Sequence, residues 1–333
     1  KASLGRNWEK LAQLAVQTIL NEIQHDLKEF GAHFDQWFSE QSLIDSGEID
    51  QVISTLQTNG HIYEKKGALW FRSKAFGDEK DRVVCRDNGE TTYFASDIAY
   101  IANKFQRGFD FILYIWGADH HGYINRIKAA TQALGFDSDR IIIRLVQFAN
   151  LYKNTKRLQM STRSGAFVTL RELREEIGCD ACRYFYIMRK ADQHLDFDLT
   201  LATEQSKDNP VYYVQYAHAR ICSVFASSVG RKFAESRGLN QLEKLNGQSE
   251  LNLAMAIGKF PEVVCKAADT LEVHLLCYYL RDLASEFHRW YNSTRLLTDD
   301  TDIRDARLCL AKAVQITLRR GLTLIGVSAP ESM

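Results

Sequence analysis

The sequence predicts an α/β unit followed by an all-α bundle, on three observations. A near-continuous apolar run, Phe109 to Trp116, is followed by a helical pattern from about Tyr123 to Leu134 and by a second apolar run, Arg140 to Phe148. That order is the β-α-β signature of a buried parallel sheet. Beyond Ala166 the apolar spacing is helical almost to the end, in segments long enough for a bundle. Only three prolines, Pro210, Pro261 and Pro330, occur in 333 residues, which favours uninterrupted helices over extended linkers.

The elements follow in order. From Trp8 to Phe30, Leu11, Leu14, Ala15, Ile19, Ile23 and Leu27 recur at three- and four-residue steps and Gly31 stops the pattern, which gives an amphipathic helix. Asp50 to Asn59 is a second, shorter helix ending on Asn59-Gly60. Short β-like pieces come next at Ile62-Tyr63, Ala68 to Phe71 and Arg82 to Cys85. Ser96 to Lys104 is helical and leads into the first apolar run. The later helix candidates are Thr169 to Gly178, Asp180 to Met188, Pro210 to Val229, Asn252 to Ala268, Leu271 to Trp290 and Ile303 to Leu324. The polar, glycine-containing stretch Ser227 to Ser249 is expected to be a loop.

Composition narrows the function classes. Hydrophobic residues at 45% with 25% charged are those of a globular protein, and no apolar stretch approaches the ~20 residues needed to span a bilayer. Lys+Arg 42 balance Asp+Glu 42, so contact with nucleic acid must rest on placed groups and shape, not bulk attraction. Seven scattered cysteines without a secretory segment point to a reducing cytoplasm. Cys179 and Cys182 have C-x-x-C spacing, but neither a second such pair nor an H-x3-H follows. Buried thiols therefore compete with a zinc site, and no metal site is assigned. The chain opens on Lys1 inside a helical pattern, as a fragment would.

Four constellations carry chemistry. The first apolar run empties into Gly117-Ala118-Asp119-His120-His121-Gly122 just before a helix. Ligands bind at the carboxyl ends of parallel strands, where a glycine admits the backbone and a carboxylate can hold ribose hydroxyls. A plain turn with Asp119 as a cap remains the competing reading. Thr91 to Asp97 places Tyr93 and Asp97 one helical turn apart, where a carboxylate beside a phenol can grip a cationic substrate; a helix N-terminus with Asp97 facing the dipole is the alternative. Lys153 to Gly165 is basic and rich in hydroxyls, which suits polyphosphate chemistry and equally suits a solvated loop. Pro210 to Arg220 crowds aromatic, amide and basic side chains onto one helix, and Phe287 to Asn292 repeats the mixture. These are groups that stack on unpaired bases, unless the tyrosines are core.

Taken together and in order, these segments resemble the arginyl-tRNA synthetase family of class I aminoacyl-tRNA synthetases, from about Phe34 to Met333. The resemblance rests on Phe34 to Glu40, Thr92 to Tyr100, Gly117 to Tyr123, Met160 to Gly165, Asp196 to Leu199, Asn209 to Arg220 and the closing Leu324 to Val327 with Pro330 to Met333. It implies part of a class I Rossmann-type nucleotide-binding fold with a helical insertion over residues 1–165. A helical connecting segment over 166–207 and a DALR-type anticodon-binding bundle over 208–333 would follow. It further implies ATP-dependent activation of arginine, with Mg2+, and transfer to the 3′ end of the tRNA for arginine by a cytoplasmic monomer with no membrane partner.

On that resemblance Tyr93 and Asp97 bind arginine, while Gly117, Asp119, His120 and His121 lie near ATP. Met160, Ser161, Thr162 and Arg163 belong to the KMSKS loop that acts on the phosphates. Tyr212, Tyr216, His218, Arg220, Trp290 and Tyr291 contact tRNA. Gln159 and Thr162 stand where that loop has lysines, which leaves Arg163, Lys156 and Arg157 as candidate cations. The family's His-x-Gly-His is absent from this chain. A truncated synthetase inactive alone, or a non-catalytic tRNA-binding module, are the two readings this suggests. The related cysteine enzyme reads its substrate with zinc, for which no ligand set is visible.

Overall fold

The computed structural model describes residues 7–158 and 167–333, which form two units. The first is Phe34–Phe148 with Ala191–Gln193. It starts with helices α2 (Gln41–Asp45) and α3 (Glu48–Thr58) and a three-stranded antiparallel sheet, β1 (Ile62–Lys65), β2 (Ala68–Phe71) and β3 (Arg82–Cys85), in the order β1-β2-β3. Lys66 and Gly67 join the first two strands with φ of 53° and 76°, the turn geometry that follows natural strand twist. Helix α4 (Tyr93–Gln106) then buries Phe94, Ile98, Ile101 and Phe105 on one face.

Strand β4 (Ile112–Gly117), a 3-10 turn (Ala118–Tyr123), helix α5 (Ile124–Ala133) and strand β5 (Ile141–Val146) make the expected β-α-β unit. The strands pair parallel from Ile112 opposite Ile141 to Gly117 opposite Val146. Burial corrects one expectation. Ile112 and Ile141 are buried, whereas Leu113 is 44% and Ile115 68% exposed. Alternation along β4 thus turns Leu113 and Ile115 away from the buried face of the sheet.

The second unit is residues 1–33, Ala149–Lys190 and His194–Met333. Helix α1 (Trp8–Glu29) is amphipathic as expected but buries none of its residues; Leu14, Val16 and Ile19 are exposed. Its carboxyl end is tied by Arg171, whose guanidinium donates to both oxygens of Asp26 at 2.8 and 3.0 Å, and by Arg183, which donates to the Phe30 carbonyl at 3.0 Å. Strands β6 (Ala149–Lys153), β7 (Lys156–Arg157) and β8 (Leu195–Asp198) form a sheet in the order β7-β6-β8, with β6 and β8 parallel. Helix α6 (Leu170–Ile177) opens on a reciprocal Thr169–Glu172 cap, and α7 (Cys179–Ile187) and α8 (Leu199–Thr203) frame the sheet.

The bundle follows as α9 (Pro210–Ala226), α10 (Glu235–Leu239), α11 (Gln248–Gly258), α12 (Phe260–Thr270), α13 (His274–Ser293) and α14 (Thr301–Leu324). Asn209 and Asp300 cap the first and last of these by accepting from backbone N–H groups of the first turn. Two expectations change here. The single helix over Asn252 to Ala268 is two, because Pro261 in the first turn of α12 has no N–H to continue the ladder. The stretch Ser227 to Ser249 holds α10, with 3-10 turns at Gly230–Lys232 and Leu242–Lys244. A Cβ on Gly238 would lie 2.4 Å from the Asp305 carbonyl of α14, so glycine permits this close packing. Trp290, Phe287, Leu280, Leu283, Val314 and Leu318 fill the core beneath, at 0–1% exposure.

Candidate active site

Residue Thr92 sets where α4 begins. Its hydroxyl donates to the Val83 carbonyl at 2.9 Å, pinning the helix start to β3. Tyr93 is then the first helical residue, 85% exposed, and Asp97 follows one turn later, half-buried. The anticipated one-turn spacing is present.

Around Asp97 lies a polar cluster that sequence reasoning did not assign. The Tyr123 hydroxyl donates to Asp97 Oδ2. Burial raises the Asp97 carboxyl above the ordinary carboxylate range and Glu40 adds to that, while the Tyr123 bond, Lys104 and Arg126 favour the ionised form. Lys104 lies between two rings, with Nζ 3.8 Å from the centroid of Tyr100 and 4.1 Å from that of Tyr114. Burial pushes its ammonium down to about 8, against the pull of Asp97. Such an ammonium over aromatic faces gains ~0.5–2 kcal/mol per contact. Both Tyr114 and Tyr123 titrate above the ordinary phenol range, chiefly through burial.

At the end of β4, the 3-10 turn places Asp119, His120 and His121 in solvent, with His120 Nε2 3.8 Å from Asp119 Oδ2. A Cβ on Gly117 would lie 2.6 Å from Asp119 Oδ1, so the glycine lets that carboxylate fold back over the strand end. Tyr123 closes this same turn. Its ring meets Phe94 of α4 edge-on at 6.2 Å and Trp116 of β4 at 6.0 Å. The two predicted groups, Tyr93 with Asp97 and the Gly117 turn, are therefore joined through Tyr123. The sequence signal for it was its place at the end of the Gly117 to Tyr123 motif.

Met160, Ser161, Thr162 and Arg163 lie outside the described residues. Just before them, Asn154 and Thr155 turn β6 into β7 at φ of 50° and 64°. Of the candidate cations, Arg157 donates to Asn150 Oδ1 at 2.6 Å, and Lys156 is exposed.

In the bundle, α9 divides its residues by helical period. Val211, Val214, His218 and Ile221 face the core, and Tyr212, Tyr216 and Arg220 share the adjacent stripe. Tyr212 stacks on Tyr216 at 5.9 Å, and Tyr216, 38% exposed, stacks on His288 at 5.7 Å. The Arg220 guanidinium lies 5.2 Å from the Tyr216 ring centre and 4.1 Å from that of Tyr291, and it donates to Asn292 Oδ1 at 3.2 Å. Two of the six expected tRNA contacts are corrected. His218 and Trp290 are 0% exposed, His218 bonding the Pro330 carbonyl at 2.8 Å and Trp290 packing on Phe287, so neither can stack on a base. Asn292 joins the exposed cluster, and His288, itself buried, backs the Tyr216 ring.

A parallel β-α-β unit with a polar site at its strand end, in a chain that closes on a helical bundle, is an architecture shared by ligand-binding proteins of many functions. Comparison with known proteins narrows this. Residues 3–196 match the family of class I tRNA synthetases (R), catalytic domain, and residues 214–333 match the DALR anticodon binding domain. The chain is 55% identical over 333 residues to the arginine–tRNA ligase of Dechloromonas aromatica (strain RCB), and 56% identical over 323 residues to that of Legionella pneumophila (strain Corby). It covers 100% and 96% of itself in these matches but 56% and 55% of the relatives. A Campylobacter jejuni chain, assigned provisionally as an arginyl-tRNA synthetase, superposes with a TM-score of 0.91 at 35% identity, over 99% of this chain and 71% of that one. The Thermus thermophilus arginyl-tRNA synthetase shares the fold at 22% identity, with a TM-score of 0.80 over 99% and 68% of the two chains. The chain belongs to the arginyl-tRNA synthetase family, and it spans about half the length of the curated relatives it matches.

Proposed function

We propose that this chain is the carboxyl-terminal part of an arginine–tRNA ligase. The observation that carries the reading is Asp97, a half-buried carboxylate beside the carboxyl end of a parallel strand, hydrogen-bonded by the Tyr123 phenol. A planar guanidinium matches a carboxylate through paired N–H donors, and lysine or a neutral isostere cannot reproduce that fork. Tyr93, exposed on the preceding turn, closes over the same substrate. Gly117, Asp119, His120 and His121 take the adenosine side of ATP, which brings Mg2+ as its phosphate counter-ion. The loop Met160, Ser161, Thr162 and Arg163 stabilises charge on the transferring phosphorus.

In the reaction, the carboxylate of arginine attacks the α-phosphorus and pyrophosphate leaves; a hydroxyl of the 3′-terminal ribose then attacks the arginyl carbonyl of the adenylate, and AMP leaves. Residues 1–165 serve activation, 166–207 connect, and 208–333 hold the anticodon arm through Tyr212, Tyr216, Arg220 and Tyr291. We take the working protein to be a cytoplasmic monomer; among the described residues no helix is long and apolar enough to cross a membrane.

Arginine-dependent ATP–pyrophosphate exchange tests the reading. The full-length protein should exchange with arginine and not with lysine, whereas the chain alone, lacking His-x-Gly-His, should bind tRNA without exchange. Robust exchange by the chain alone would contradict the division of labour, and exchange driven equally by another amino acid would contradict the assignment.

A further inference from the structure

A carboxylate on a helix surface rotates freely about its terminal torsion. Paired recognition of a guanidinium requires that its plane be fixed. We propose that Tyr123 is a positioning residue for arginine recognition: its phenol holds Oδ2 of Asp97 and so presents Oδ1 to the substrate's guanidinium. The inference rests on Asp97 being the guanidinium ligand, as argued above.

The geometry supplies what positioning needs. Tyr123 and Asp97 are 26 residues apart, on the strand-end turn and on α4, so their bond fixes one element against the other. The ring cannot swing away easily. Phe94 meets it at 87° and Trp116 at 74°, and the Arg126 guanidinium lies over its face at 4.3 Å. Tyr123 has a single O–H, and this bond commits it to Asp97. A carboxylate oxygen accepts more than one hydrogen bond, so Oδ2 also keeps capacity for the ligand. The titration directions agree with the geometry. The phenol stays protonated, hence a donor, through the neutral range, and its bond favours ionised Asp97 against the cost of burial.

The test is Tyr123→Phe in the full-length protein, with Asp97→Asn measured beside it. Removing one hydrogen bond to a charged group should raise KM for arginine about tenfold, with kcat and KM for ATP within about twofold. The acid limb of kcat/KM for arginine should also move to higher pH. The lost O–H favoured the ionised carboxylate, and the other groups facing Asp97 (Glu40, Lys104 and Arg126) remain. The melting temperature, read in parallel, should be unchanged. An unchanged KM for arginine in Tyr123→Phe, with Asp97→Asn impaired, would overturn the positioning role alone. Equal losses for arginine and ATP together with a lowered melting temperature would make Tyr123 merely structural. If Asp97→Asn left arginine kinetics intact, the underlying reading would fail instead.

Discussion

The helical bundle and the β-α-β unit draw on the same apolar residue types and dispose of them differently. In the bundle, helices α9, α13 and α14 bury their core-facing side chains, down to Trp290 and Phe287 at 0% exposure. Strand β4 leaves Leu113 and Ile115 in solvent, and the polar groups near its end surround Asp97 without closing over it. The bundle buries a continuous core and carries an aromatic stripe on its surface. The β-α-β unit carries its polar cluster near a strand end and leaves Leu113 and Ile115 of β4 exposed. Each unit thus buries a core of its own, and the two differ in where their exposed functional groups lie.

The sharpest way to break this comparison is a truncation in the core of the bundle. Trp290→Ala removes a fully buried ring and should cost about 3–5 kcal/mol, enough to unfold a marginal bundle at 37 °C. Chemical denaturation of the isolated chain reads it directly.

Next in size is the surface stripe. Tyr216→Ala should weaken tRNA binding by the chain about tenfold, the lower range of one stacked base, without moving its melting temperature. Arg220→Ala should reduce the salt slope of binding by about one phosphate contact. Over residues 204–331, 16 Lys+Arg stand against 15 Asp+Glu, so bulk attraction offers little to fall back on. A Tyr216→Ala chain that melts early yet binds tRNA normally would return this tyrosine to the core.

Acid should separate the regions further. Burial lowers the pKa of His218 and His288, so the unfolded bundle binds protons more readily than the folded one. Its stability is full above the ordinary histidine value of 6.5 and declines as pH falls below it. In the other unit, the Arg82 guanidinium donates to Asp78 at 2.7 and 2.8 Å and holds that carboxyl down at about 2. That contribution persists until pH drops below about 3.8 and is lost toward 2. Hydrogen exchange between pH 7 and 5 should therefore show protection falling in α9 and α13 and holding around β3. The smallest expected effect belongs to the exposed side chains of β4, where Ile115→Ala in this chain should change stability by no more than about 0.5 kcal/mol.

How much of this could be read beforehand follows from the length of the interactions. The β-α-β unit was legible because two apolar runs flank one helix within about forty residues, and the pair Tyr93 and Asp97 because helical spacing alone places it. The burial of His218 and Trp290 was not. An aromatic helix with apolar residues on several sides does not announce which stripe faces inward, and only the packing of α13 and α14 decides it. The break between α11 and α12 escaped because proline is at home in a first helical turn as well as at a boundary. Tyr123 escaped because its partner lies 26 residues away, and no local pattern reports a bond across that gap.

The claim on which the rest depends is that Asp97 selects the guanidinium, and Asp97→Asn in the full-length protein tests it most directly. Loss of the charged partner should lower kcat/KM for arginine about a hundredfold, corresponding to ~3 kcal/mol, with KM for ATP nearly unchanged. Arginine kinetics equal to those of the parent protein would contradict it.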